Sequence, residues 1–181
     1  LNAVGEICRR RNCIFVVDAV QGMGPFPIDV KQAGIHALSA SGHKWLLGPE
    51  GCAVFYIDAG FMPQVEPIEI GWTNTQGFEN YQRDGELRVD AGRYECGTLN
   101  SVGCAGMRAS IEFLNEIGSE QASTHINSLV ERFLAGAEQK GYASAAIRTT
   151  ATGSGVVSIW KDGVDSVSTV RMLLENRIST A

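Results

Sequence analysis

The sequence predicts an α/β fold: residues 1–117 form part of a larger domain built on a mainly parallel sheet, and residues 118–181 begin a smaller α+β domain. Three observations carry this expectation. A helical stretch runs straight into the wholly apolar segment 13–17, as in a strand–helix alternation. Two more short apolar strands, 37–40 and 52–57, are bounded by glycine- and proline-rich turns. Two long amphipathic patterns, 101–117 and 119–140, then follow with a change of character near Gly118.

Residues 1–12 place Val4, Ile7 and Cys8 at helical spacing, with charges on the other face. The β-branched run 13–17 reads as a buried strand of a parallel sheet that ends at Asp18. Ligands of such sheets sit beyond the carboxyl ends of the strands, so a functional acid belongs at Asp18. Gly22, Gly24, Pro25 and Pro27 force a loop, and 29–34 forms one short helix that stops at Gly34. Gly42 breaks strand 37–40 just before His43 and Lys44, and strand 52–57 is another buried-type run. Weak periodicity over 63–92 predicts a long functional loop with room for one hairpin. Helix 101–117 is expected to turn Val102, Ala105, Ala109, Phe113 and Leu114 to one face. Helix 119–140, capped by Ser119, is expected to turn Ile126, Leu129, Val130, Phe133 and Leu134 inward. Gly153, Ser154 and Gly155 lead into strand 156–160, and Asp165 caps a last helix running to 175.

At 181 residues the chain holds one domain, or one domain and part of another. Its net charge of −5 argues against nucleic acid or an anionic membrane as partner. No apolar run approaches the roughly 20 residues that span a bilayer. The cluster Arg9-Arg10-Arg11 follows a short amphipathic stretch, unlike a signal peptide. Cys8, Cys13, Cys52, Cys96 and Cys104 show no metal-binding or scaffold spacing, so no metal site is expected, and their odd number suits reduced thiols in a cytoplasm. Leu1 opens a helix already under way and Ala181 falls on an apparent helix-to-strand turn, so both ends read as cut from something longer.

Chemistry concentrates in Ser41-Gly42-His43-Lys44-Trp45-Leu46-Leu47-Gly48-Pro49 and, upstream, Asp18-Ala19-Val20-Gln21. Most lysines are surface groups, but Lys44 follows a glycine-broken strand end and precedes an apolar run that partly encloses its stem. A desolvated lysine gives up its proton more readily and becomes a nucleophile. Asp18 is either a loop acid or a carboxylate that holds a basic ring nitrogen protonated. A lysine and an acid so placed suit an aldehyde cofactor with such a nitrogen.

These residues resemble the pyridoxal-phosphate site of the class V aminotransferase family, which includes the cysteine desulfurases. The resemblance implies a fold type I large domain and pyridoxal 5′-phosphate as cofactor. Lys44, in a Ser-x-His-Lys run, would form the Schiff base and act as general base, and Asp18 would face the pyridine nitrogen. Gln21 would bond the ring oxygen, and Ser41 and His43 the phosphate. In the run 93–100, Gly97 and Thr98 would reach the cofactor phosphate of a partner copy, which makes the active unit a homodimer; Thr98 or Asn100 could also cap the following helix. Cys96 lies beside this pair as a lesser candidate nucleophile. The family's sulfur-accepting cysteine and carboxylate-binding arginine would fall beyond Ala181. The 22–25 loop lacks a Pro-His pair common in desulfurases, and with the run 178–181 this favours an aminotransferase- or epimerase-like member.

The expectation is an enzyme acting on a small amino acid by transamination, epimerisation, β-elimination or removal of sulfur or selenium. The alternative is a non-catalytic class V-like module, or an inactive fragment, that serves assembly or partner binding. The intact set Asp18, Gln21, Ser41, His43 and Lys44 argues against that alternative.

Overall fold

The computed structural model describes residues 1–81, 85–145 and 153–180. These fall into two compact units, Leu1–Ser123 and Thr124–Ala181.

The first unit opens with helix α1 (Asn2–Arg11), closed by Asn12 in the left-handed conformation. Its three basic residues in the last turn suit the negative end of the helix dipole. Strand β1 (Val16–Asp18) leads through a loop to the one-turn helix α2 (Val30–Ala33). The Asp29 carboxylate caps α2 by accepting from the Lys31 and Gln32 amides, and Gly34 ends it at φ 67°. Strands β2 (Ala37–Ser41) and β3 (Ala53–Ile57) complete a sheet of order β1-β2-β3.

β1 and β2 are parallel, with Asp18 in register with Ser39. β2 and β3 are antiparallel, which departs from the mainly parallel sheet expected. The reason is local: the link 42–52 folds straight back through turns and contains no helix, so it lacks the crossover that a parallel pair requires. β1 is also no doubly buried strand here. It lies at the sheet edge, with Ile14 61% and Val16 64% exposed.

The core beneath the sheet joins Phe15, Ala19, Ala33, Ile35, Leu38, Ala40, Leu46 and Met107. Met107 belongs to helix α3 (Ser101–Ile117), capped by Asn100, whose Oδ1 accepts from the Gly103 amide at 2.9 Å. The face of α3 expected to turn inward is met only in part: Leu114 packs against the core, but Val102 is 83% and Phe113 52% exposed, whereas Gly103 and Met107 are buried. Small residues explain the choice. Gly103 packs on the Asn100 side chain and Gly106 on the Pro49 ring, and no larger side chain would allow that approach.

Residues 62–100 contain three 3₁₀ turns, Met62–Gln64, Phe78–Asn80 and Ala91–Tyr94. An antiparallel bridge Thr75–Leu87 supplies the hairpin anticipated within 63–92, although residues 82–84 lie outside the described set.

Helix α4 (Ser119–Gln139) runs into the second unit. Val130 and Ala137 are its buried residues, while Leu129 and Phe133, expected inside, are about half exposed. Strands β4 (Ala143–Ser144) and β5 (Ile159–Trp160) pair antiparallel, so only the end of the expected strand 156–160 is regular. Helix α5 (Ser166–Glu175) begins as expected at Asp165, which accepts from the Ser168 amide at 2.8 Å. The turn expected at Ala181 lies outside the described residues.

Candidate active site

The site begins at the carboxyl ends of the parallel pair β1 and β2. β1 ends at Asp18, whose Oδ1 accepts from the Val20 amide at 3.0 Å. That bond fixes the carboxylate at the start of the loop and leaves Oδ2 without a partner among the described residues. The loop folds back at once: the Gly22 and Met23 amides both donate to the Ala19 carbonyl, at 2.9 and 2.8 Å. Gln21 therefore projects near the strand end.

β2 ends at Ser41, and the chain turns through Gly42, His43, Lys44, Trp45 and Leu46. Four contacts hold this turn. The Gly42 amide donates to the Cys52 carbonyl at 2.8 Å and the Gly48 amide to the Gly42 carbonyl at 2.8 Å. The Leu47 amide donates to the Lys44 carbonyl at 3.0 Å, with Leu47 in the left-handed region at φ 56°. Leu46 enters the core, only 5% exposed. Gly42 is required sterically, since a Cβ there would meet Met107 Cε and the Cys52 carbonyl.

The two segments touch. Trp45 Nε1 donates to Gln21 Oε1 at 2.8 Å. Gly24, at φ 105°, packs its α-carbon against the Trp45 carbonyl. The fold thus brings the Asp18–Gln21 loop and the Ser41–Lys44 turn to one end of the sheet. His43 and Lys44 are exposed there, and neither side chain makes a hydrogen bond or ion pair among the described residues. Ser41 Oγ is buried and has no hydrogen-bond partner among the described residues. A buried orphan hydroxyl at a strand end is costly unless a ligand satisfies it.

Gly97 and Thr98 lie in a separate segment of the same unit. Thr98 is exposed, and it is Asn100 that caps α3. Nothing lies within 4 Å of where a Cβ on Gly97 would sit, so crowding within the chain does not demand glycine there. Cys96, the lesser nucleophile candidate, is exposed, with its thiol 3.9 Å from Glu69 Oε2.

Sequence reading passed over the groups that hold this segment in place. Asn74 is fully buried: its Nδ2 donates to the Arg93 carbonyl at 2.7 Å and its Oδ1 accepts from the Gly71 amide. The Thr73 hydroxyl donates to the Glu95 carbonyl and, at 3.3 Å, lies within reach of the Gly97 carbonyl. Polar residues in an aperiodic stretch read as solvated loop, and only their 0–8% exposure reveals them as anchors. A hollow of about 440 Å³ lined by Cys13, Ile14, His36, Asp58, Phe61 and Gln64 lies at the opposite end of the sheet and includes none of the candidate site residues.

A parallel strand pair with a lysine turn and an acid loop at its carboxyl ends is the ligand-binding arrangement of an open α/β enzyme domain. The family model for aminotransferase class V matches residues 1–181, and the chain belongs to that family, whose members use pyridoxal phosphate. A probable cysteine desulfurase from Pyrococcus abyssi is 33% identical over 136 residues, which cover 75% of this chain and 33% of that protein. The apo structure of the cysteine desulfurase from Thermococcus onnurineus superposes with a TM-score of 0.88 at 30% identity, covering 98% of this chain and 44% of that one. A C-DES mutant with glycine covalently linked to its PLP cofactor superposes with a TM-score of 0.84 at 26% identity, covering 99% and 48%. The chain therefore spans about a third of that curated relative and less than half of these solved neighbours.

Proposed function

We propose that this chain provides the lysine-bearing half of a pyridoxal-phosphate enzyme that acts on a small amino acid, of the aminotransferase, epimerase or cysteine desulfurase type. The observation that carries the proposal is the convergence of Asp18, Gln21, Ser41, His43 and Lys44 at one sheet end, with the Ser41 hydroxyl buried and unpartnered. That hydroxyl has no acceptor among the described residues, so its O–H is free to donate to a phosphate oxygen.

When bound, pyridoxal phosphate supplies an aldehyde that links to an amine and a ring that takes up electrons from the substrate α-carbon. Lys44 would hold the group through Nζ, and its amine, when free, would serve as the general base for the substrate α-proton. Asp18 would face the ring nitrogen and hold its proton through a charge-assisted hydrogen bond. Gln21 would donate to the ring oxygen, and Ser41 and His43 would bind the phosphate. Gly97 and Thr98 reach the phosphate bound by a second copy of the chain, so the working unit is a homodimer. The open space around Gly97 supports a contact made outside the chain. Residues 1–117 then belong to the cofactor-binding domain and 118–181 to the smaller one, in a cytoplasmic protein. No helix among the described residues is long and apolar enough to cross a membrane.

The test is Lys44→Ala in the full-length protein, assayed with cysteine for sulfide release, with alanine and a keto acid for amino transfer, and with single amino acid enantiomers for epimerisation. Turnover by the wild type in one assay, and its loss in a variant that still retains cofactor non-covalently, is the expected result. Undiminished turnover in Lys44→Ala removes the mechanism, and a wild type without cofactor or turnover favours a non-catalytic module.

A further inference from the structure

Trp45 follows the candidate lysine directly, and its indole does something the proposed chemistry has not yet used. We infer that Trp45 is a positioning residue that fixes which end of the Gln21 amide faces the site. The inference rests on the reading of Gln21 given above and adds to it the device that makes Gln21 a hydrogen-bond donor.

The argument is one of hydrogen-bond inventory. An indole N–H can only donate, and a glutamine amide has a single accepting atom, its oxygen. The 2.8 Å contact between Trp45 Nε1 and Gln21 is therefore made by Oε1, whichever way the amide is first drawn. With Oε1 committed, the open end of Gln21 carries the two N–H bonds of Nε2, and no group among the described residues accepts from them. An exposed glutamine without this clip presents oxygen and nitrogen about equally, and oxygen would repel an anionic ring oxygen.

The clip is itself held on both sides. Leu46, the next residue, is packed in the core, and the Trp45 carbonyl rests on Gly24, the only residue type that fits there at φ 105°. Asp18 and Gln21 lie on one side of the clip and Lys44 on the other. Trp45 therefore links the loop that reads the ring to the turn that carries the lysine.

A donor on the ring oxygen competes with the proton on the nitrogen that joins Lys44 to the cofactor, because both draw on the same oxygen lone pairs. Removing the donor raises the pH at which that nitrogen loses its proton. The experiment follows the visible absorption band of the full-length holoprotein against pH in wild type, Trp45→Phe, Gln21→Ala and the double variant. Trp45→Phe should raise the midpoint by about one pH unit, the size of one charge-linked hydrogen bond. Gln21→Ala should raise it at least as much, and the double variant no further than Gln21→Ala alone.

A midpoint that moves in Gln21→Ala but stays put in Trp45→Phe overturns the inference and leaves the Gln21 reading standing. Additive shifts overturn it as well, because Trp45 would then act by a route of its own. If neither variant moves the midpoint, or if the wild type shows no such band, the reading of Gln21 fails and takes the inference with it. A second measurement does not depend on cofactor or on Trp45→Phe folding well. In the cofactor-free protein, Gln21→Ala should shift the Trp45 indole N–H resonance and speed its exchange with solvent; an unchanged resonance overturns the clip.

Discussion

Gly42 is the hinge between strand β2 and the lysine turn, and replacing it with alanine tests whether that turn is a rigid platform. The new Cβ would lie 2.7 Å from the Cys52 carbonyl oxygen and 3.2 Å from that of Pro49. The Met107 methyl, also in the way, can swing aside, since it ends a flexible side chain. The Cys52 oxygen cannot, because it accepts the Gly42 amide at 2.8 Å at the entry to the β2–β3 pair. Relief requires the two strands to part by about 0.7 Å, taking ordinary contact as ~3.4 Å, and overpacking of this kind costs about 1–3 kcal/mol. Weakening the Gly42–Cys52 bond adds about 1 kcal/mol, and the stiffer unfolded chain offsets about 0.7 kcal/mol. The expected net loss is about 2 kcal/mol, or about 4–8 °C in Tm for a protein of this size. Urea denaturation with matched m-values measures it. A loss below about 0.5 kcal/mol, within the scatter of a surface substitution, would mean that the turn yields freely and is no platform.

Gly97→Ala should leave stability within about 0.5 kcal/mol, since nothing within 4 Å opposes a Cβ, yet weaken cofactor retention in the dimer; equal retention by dialysis and absorbance would remove Gly97 from the composite site. Asn74→Ala should cost about 2–4 kcal/mol by stranding the Arg93 carbonyl and Gly71 amide in a buried setting, read by urea denaturation and by faster proteolysis within 62–100. The Ser168 amide holds the Asp165 carboxyl below its usual range. A depressed carboxylate stabilises the fold above its unfolded pKa of about 3.9 and loses that contribution as pH falls through the folded value. Protection of the Ser168 amide, its exchange relative to the intrinsic rate at each pH, should therefore fall on acidification in the wild type, and Asp165→Asn should abolish that acid dependence.

The sequence made the local punctuation legible. Asp29 and Gly34 frame α2, Asp165 caps α5 and Gly42 interrupts β2, because caps and glycine turns are settled by chemistry within a few residues. The reading failed where the answer depends on what lies across space. Val102 and Phe113 share a clean helical stripe, yet α3 packs through Gly103 and Gly106, because closeness to Pro49 favoured small residues over large apolar ones. The direction of β3 followed from a turn length that periodicity does not register. At the site, the motif residues were visible as residue types, whereas the Trp45–Gln21 bond joins groups 24 positions apart and the Thr73–Asn74 anchors look like ordinary loop polars.

Borohydride reduction of the holoprotein, followed by peptide mapping, tests the central claim most directly. If Lys44 carries the cofactor, the visible band bleaches and the reduced adduct maps to the peptide that contains Lys44, with no adduct in Lys44→Ala. An adduct on Lys31, Lys140 or Lys161, or none at all in a protein that retains pyridoxal phosphate, would contradict the account.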